Sequence, residues 1–177
     1  MRKELDADRV RALIRALGQR ASGSGRIYLT GGTSAVLEGW RASTVDADLK
    51  LDPEPAGVFE AIALLKDELA VNIELASPDM FLPELPGWRD RSVYIERVGR
   101  VDFYHYDFYA QALAKIERGH QRDLDDVREM IARGFVEPPR LRELFEAIAP
   151  RLVRYPSVDP DVFGEKLQAL LAEVEGG

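Results

Sequence analysis

Cysteine is absent from these 177 residues and histidine occurs only twice. Disulfides and thiolate metal sites are thereby excluded, and a zinc centre has almost nothing to build on. A metal site here relies on carboxylate oxygens, which suit Mg2+ or Mn2+. Long apolar runs are also missing. None approaches membrane-spanning length, and Met1-Arg2-Lys3-Glu4-Leu5-Asp6 has no apolar leader core, so a cytoplasmic protein with no membrane partner is expected. Positive charge is in deficit as well. The formal net charge of −7 argues against generic nucleic-acid binding but leaves room for a local basic patch. Internal repeats and low-complexity tracts are lacking.

What is present is an ordinary globular composition, 46% hydrophobic and 31% charged, in a chain long enough to bury a core. Val10, Leu13, Ile14 and Leu17 recur at helical spacing, so residues 6–17 are expected as an amphipathic helix stopped by Gly18. Residues 26–30 read as a strand ending at Gly31-Gly32. A short helix then runs to Glu38, capped by Thr33 or Ser34 and ended by Gly39. Further strands are expected over 45–51 and 71–75, separated by a helix over 56–70, and a hairpin is expected around Val98-Gly99. His105, between Tyr104 and Tyr106, reads as a packed histidine. From Asp107 the pattern is helical only: 108–118, 122–132, 141–153 with Pro150 breaking it, and 162–174 with Asp159-Pro160 at its start. The expected class is α+β, a small mixed sheet with flanking helices over residues 1–105, followed by a helical region over 106–177.

The stretch that carries chemistry is Tyr28-Leu29-Thr30-Gly31-Gly32-Thr33-Ser34 followed by Val45-Asp46-Ala47-Asp48-Leu49. Alternation along a strand puts Asp46 and Asp48 on one side, where their carboxylates either share a cation or face solvent. Glycines before a helix let a phosphate approach backbone N–H groups. Together they suggest a site for a metal-bound triphosphate. In the helical half, Lys115 and Arg118 share a helix face at i and i+3, and so do Asp123 and Asp126 on the next helix. These four form either a phosphate-facing wall or an ion-pair cluster at a helix–helix turn, with Arg122 another partner for the carboxylates. Arg41 is placed to orient the aspartates or to offset their charge.

The first stretch resembles the signature of the DNA polymerase β-type nucleotidyltransferase superfamily: Gly31-Gly32 after a strand, then Asp46-Ala47-Asp48-Leu49. Thr30 stands where an apolar residue is usual, and the gap lies at the long end. The segment from Asp107 through Lys115 and Arg118 to Arg122-Asp123-Leu124-Asp125-Asp126 is similar to a motif of AbiEii-type toxin nucleotidyltransferases and uncharacterised relatives. The resemblance covers residues 26–130. It implies Mg2+-dependent transfer of a nucleotide from a nucleoside triphosphate to an acceptor hydroxyl. Asp46 and Asp48 would hold the metal, with Gly31, Gly32, Thr33 and Ser34 around the phosphates and Lys115, Arg118 and Asp123 as the second wall. It further implies a third carboxylate that ligates metal and takes the acceptor proton. Glu74 is the first choice, with Asp102 and Asp79 as competitors. An RNA acceptor such as a tRNA 3′ end, and a separate antitoxin partner, follow from the toxin likeness. The alternatives are a nucleotidyltransferase fold retained as a nucleotide- or partner-binding regulatory module, and a scaffold whose acidic strand is structural.

Overall fold

Apolar residues at helical spacing give the chain its first helix, α1 (Ala7–Arg20), whose Asp6 side chain caps the Arg9 N–H at 2.9 Å. The computed structural model describes all of residues 1–177. Gly18 does not end α1. Its missing Cβ instead admits the backbone and side chain of Val98, so the glycine serves close packing and the helix continues to Arg20.

Five strands follow: β1 (Gly25–Thr30), β2 (Asp46–Leu51), β3 (Asn72–Glu74), β4 (Val93–Val98) and β5 (Val101–His105). They form one mixed sheet in the order β3-β2-β1-β5-β4. β1 pairs antiparallel with β2 and parallel with β5; β2–β3 is parallel and β4–β5 antiparallel. Register and alternation together sort the side chains. Ile27, Leu29, Ala47, Leu49, Ile73, Val101 and Phe103 are buried on one face, in a single cluster with Val10, Leu13, Ile14 and Leu17 of α1. Val36 of α2 (Gly32–Glu38) and Val58, Ile62 and Leu65 of α3 (Val58–Glu68) join them. Each Val, Leu, Ile or Phe among them contributes roughly 1.5–3 kcal/mol by leaving water. The other face carries Tyr28, Thr30, Asp46, Asp48, Lys50, Asn72, Glu74 and Tyr104. The expected α+β class, a mixed sheet with flanking helices and helical C-terminal elements, is what the chain forms.

The chain divides into two compact units, residues 1–77 with 92–106, and residues 78–91 with 107–177. The proline-bearing segment before the hairpin thus groups with the helices, not with the sheet where sequence order had put it. Within it lie a short 3-10 turn (Pro78–Met80) and α4 (Trp88–Arg91), and Leu82, Leu85 and Trp88 are buried. The remaining helices are α5 (Phe108–Arg118), α6 (Gln121–Ala132), α7 (Pro138–Ile148) and α8 (Pro160–Gly176). Asp107 caps α5 and pairs with Arg91 at 2.7 Å. Phe108 stacks on Phe135, and Phe145 meets Phe163 edge-on. Pro150 acts as expected: α7 stops at Ile148 and residues 149–154 tighten into a 3-10 turn. Asp159 caps α8, with Pro160 at its first position. No helix is long and apolar enough to cross a membrane.

Candidate functional site

The end of β1 and the start of β2 meet because they are antiparallel neighbours, with Thr30 opposite Asp48. The chain then turns into α2 through Gly31, at φ +64° and ψ −136°, a conformation that side-chain-bearing residues rarely adopt. Gly31 itself is the N-cap of α2 and no side chain caps it, so the capping expected of Thr33 or Ser34 is not made. A Cβ at Gly31 would lie 3.1 Å from Asp48 Oδ2. Glycine here keeps open the space beside a carboxylate.

Gly32 is equally committed. A Cβ there would strike Thr44 and would stand 3.3 Å from Arg41 Nη1. Arg41 comes back to the turn because Gly39 ends α2 in the left-handed region. The chain then folds over Ala35, whose carbonyl accepts from the N–H groups of Gly39, Trp40 and Arg41. Its guanidinium thus lies beside the second glycine, one residue along from the glycine that faces Asp48. Thr44, bonded to Asp46 O at 3.3 Å, was missed altogether. The available signal was a hydroxyl and a guanidinium flanking the strand that bears Asp46.

Thr33 is fully buried, and its Oγ1 has no hydrogen-bond partner. Ser34 is also buried, but its hydroxyl lies 3.1 Å from Leu29 O and 3.0 Å from His105 Nδ1, so it serves the joint between β1, α2 and β5. His105 is packed, as expected, with Nε2 2.7 Å from Glu38 Oε1.

Asp46 and Asp48 are half-buried on the same side of β2, between the buried Ala47 and Leu49. The parallel neighbour β3 sets Asn72 beside Asp46 and Glu74 beside Asp48. Asn72 Nδ2 donates to Asp46 Oδ1 at 2.6 Å and to Glu74 Oε1 at 2.9 Å. This amide bridge was not foreseen, although Asn-x-Glu has the same period as Asp-x-Asp. Glu74 is exposed and tied to Asn72, and no three carboxylates or imidazoles gather at metal-ligand spacing. Asp102 is too far along the sheet to substitute. It pairs with Arg26, four residues before Thr30 on β1, which is about 13 Å at the rise of a strand. Asp79 lies in the Pro78–Met80 turn, in the other unit.

The donor set nonetheless fits a hard cation. Mg2+ is commonly held by one or two carboxylates together with substrate phosphates, without an all-protein cage. Asp46 and Asp48 supply the carboxylates, and the space kept by Gly31 adjoins one of them.

In the helical unit, Lys115 is 3% exposed, with Nζ 2.7 Å from Asp126 Oδ2 and 3.5 Å from Asp123 Oδ1. Arg118, half-exposed, reaches Asp123 Oδ1 at 2.9 Å. The four groups expected to share two helix faces do so, and they neutralise one another. A buried ammonium between two carboxylates ties α5 to α6, and Arg118 forms the cluster's solvent side. Arg122 stays exposed on α6.

Residues 7–155 match a protein-family model described as a nucleotidyltransferase of unknown function, DUF6036. No curated protein and no solved structure matches the chain.

Proposed function

The chain belongs to this nucleotidyltransferase family, and from that premise we propose that it moves a nucleotide from a nucleoside triphosphate to an acceptor hydroxyl, with Mg2+ or Mn2+ as cofactor. One observation carries the reading: the left-handed Gly31 turn leaves free the space 3.1 Å from Asp48 Oδ2 that a side chain would fill. A phosphate there would be met by the Gly31 and Gly32 backbone, by the Arg41 charge at Gly32, and by a carboxylate able to share its metal.

In this reading Asp46 and Asp48 hold the cation. Bound there, it would offset charge on the triphosphate and in the transition state of an in-line displacement. The Asn72 amide fixes the rotamer of Asp46, so that one carboxylate is oriented before substrate arrives. Arg41 offsets charge on the leaving pyrophosphate, and the buried hydroxyl of Thr33 is an additional donor beside the turn. The acceptor oxygen bonds to the α-phosphorus, the bond to pyrophosphate breaks, and the acceptor proton passes to Glu74, the exposed carboxylate opposite Asp48. Lys115 has its charge met by Asp123 and Asp126, which supports a role in holding α5 and α6 over direct phosphate contact. The likeness to AbiEii-type toxins rests on that Lys115–Asp126 segment, and an RNA acceptor and an antitoxin partner rest on it in turn.

A second reading, a regulatory module that binds nucleotide without transferring it, is favoured by the exposed Glu74 and by the absence of a three-group metal cluster. Incubation with labelled nucleoside triphosphates, Mg2+ and total RNA separates the two. Label transfer that Asp48→Ala abolishes supports the enzyme. Nucleotide binding with no transfer to RNA, protein or small acceptors supports the module, and neither binding nor transfer sinks both.

A further inference from the structure

Three strands carry tyrosines in one row. Register sets Tyr28 of β1 beside Tyr104 of β5, and Tyr104 beside Tyr94 of β4, on the sheet face opposite the apolar cluster. The next row along is charged, with Arg26, Asp102 and Arg97 in the same order. Arg100, exposed at the hairpin turn, continues the alternation of β5. Three guanidinium groups thus accompany one carboxylate, a local basic patch in a chain of net charge −7.

The rings support one another. Tyr28 and Tyr104 stack with centroids 5.2 Å apart, and Tyr94 meets Tyr104 at 5.3 Å and an interplanar angle of 75°. The Arg26 guanidinium lies 5.3 Å from the Tyr104 centroid. The Tyr94 hydroxyl donates to Asp102 Oδ1 at 3.3 Å, and Arg97 Nε stands 3.7 Å from the same oxygen. Accessibility rises along the row: Tyr28 is buried, Tyr104 is half-buried and Tyr94 is 53% exposed. An exposed aromatic side chain is ordinarily free to turn. Tyr94 is held at both its ring and its hydroxyl while half of it stays in water, so the ordering a ligand would require is already in place.

What such a surface recognises follows from its chemistry. No aliphatic side chain stands in either row across these three strands, which leaves aromatic rings and guanidinium groups as its contacts. Aromatic rings stack unpaired bases of any sequence, and guanidinium groups meet the phosphates that link them. Bases in a duplex are already stacked on one another, so a duplex gains only the charge attraction.

We propose that Tyr94, buttressed by Tyr104 and flanked by Arg26 and Arg97, is a stacking site for an unpaired base of a single-stranded nucleic acid. Tyr94 is three strands across and one row along from Asp48, about 16 Å by strand spacing and rise. That is too far for the base of a nucleotide whose α-phosphate meets Asp48. As the seat of an acceptor strand, the site rests on the transfer reaction proposed above; as a binding site it does not.

Fluorescence anisotropy tests this, with the intact protein titrated into a short fluorescein-labelled RNA of mixed sequence, alone or annealed to its complement. The buffer holds EDTA and no triphosphate, so the result is independent of whether transfer occurs. The single strand should bind more tightly than the duplex. Tyr94→Ala should weaken the single strand by about 5- to 100-fold and leave the duplex unchanged. Tyr94→Trp, which restores a ring, should recover the affinity. Arg26→Gln should reduce the slope of log affinity against log salt by about 0.7, one phosphate contact. A separate titration with Mg2+–ATP should give the same affinity for wild type and Tyr94→Ala. Absence of strand binding, equal binding of strand and duplex, a Tyr94→Ala loss that tryptophan does not recover, or a loss confined to ATP would each overturn the proposal.

Discussion

Replacing Gly31 by alanine puts the candidate site under its most direct test, because two costs arise at one atom. The backbone at φ +64° and ψ −136° strains any residue with a Cβ by roughly 1–3 kcal/mol. The new methyl also meets Asp48 Oδ2 at 3.1 Å, so the carboxylate must yield by a few tenths of an ångström. Gly39 supplies the control. It lies at the other end of α2 with φ +94°, and a Cβ there meets nothing within 4 Å. Gly39→Ala should therefore show backbone strain alone, roughly 1–2 kcal/mol. Gly31→Ala should lose about 3 kcal/mol, or ~6–12 °C in Tm for a chain of this size. Adding Asp48→Ala should recover about 1 kcal/mol of the Gly31→Ala loss as a coupling energy. Urea unfolding with and without Mg2+–ATP reads all three variants. Stabilisation by Mg2+–ATP should disappear in Gly31→Ala and persist in Gly39→Ala. Equal losses in the two glycine variants, with equal responses to Mg2+–ATP, would refute the account of the turn.

Lys115→Met should destabilise by ~3–5 kcal/mol, since it takes the ammonium from the buried Asp126 carboxylate 2.7 Å away, while Asp123 keeps Arg118. Lys115→Met with Asp126→Leu should regain most of that loss in urea denaturation, and a single variant as stable as wild type would rule out the buried cluster. Burial pushes the Asp107 carboxyl above its ordinary value of 3.8, against the opposing pull of Arg91. The folded state then binds the extra proton, so Asp107's contribution to stability is full below about pH 3.8 and declines as pH rises through the folded value. The stability difference between wild type and Asp107→Asn should accordingly shift against wild type from acid to neutral pH, and a flat difference contradicts it. Gly18→Ala should destabilise by roughly 1–3 kcal/mol, although alanine is the better helix former by about 1 kcal/mol, because the methyl would run into Val98. Val98→Ala should not rescue it, as the Val98 carbonyl oxygen also lies within 2.7 Å of the new atom.

Most of the strands and helices were legible because alternation and helical spacing are local properties. Gly31-Gly32 and Asp46-x-Asp48 were legible as a pair for the same reason. Ambiguity entered where local rules conflict with packing. Gly18 looks like a helix stop, but its role is set by Val98, eighty residues away in sequence. Ser34 looks like a cap or a phosphate ligand, yet its hydroxyl is held by Leu29 and His105 across two strands. The carboxylate partners of Lys115 were visible from spacing, but only burial separates an ion cluster that ties two helices together from a wall open to phosphate. The place of Arg41 at Gly32 was not legible, because its return depends on the left-handed Gly39 and three N–H groups converging on Ala35.

The helical unit is assembled from two separate lengths of chain, one of them a fourteen-residue arm, 78–91, that interrupts the sheet between β3 and β4. On a ribosome that arm is made before its partners. Trp88, Leu82 and Leu85 then wait without the side chains of α5 and the later helices, while the rest of the sheet domain is already complete at residue 106. The waiting arm is sticky, and a chain cut after the sheet would keep it that way permanently. Expression of residues 1–106 should thus yield an aggregating fragment, and solubility should return when the arm's apolar residues are made polar. Synthesis order makes the helical half both the last part to form and the cover that ends the chain's most exposed interval.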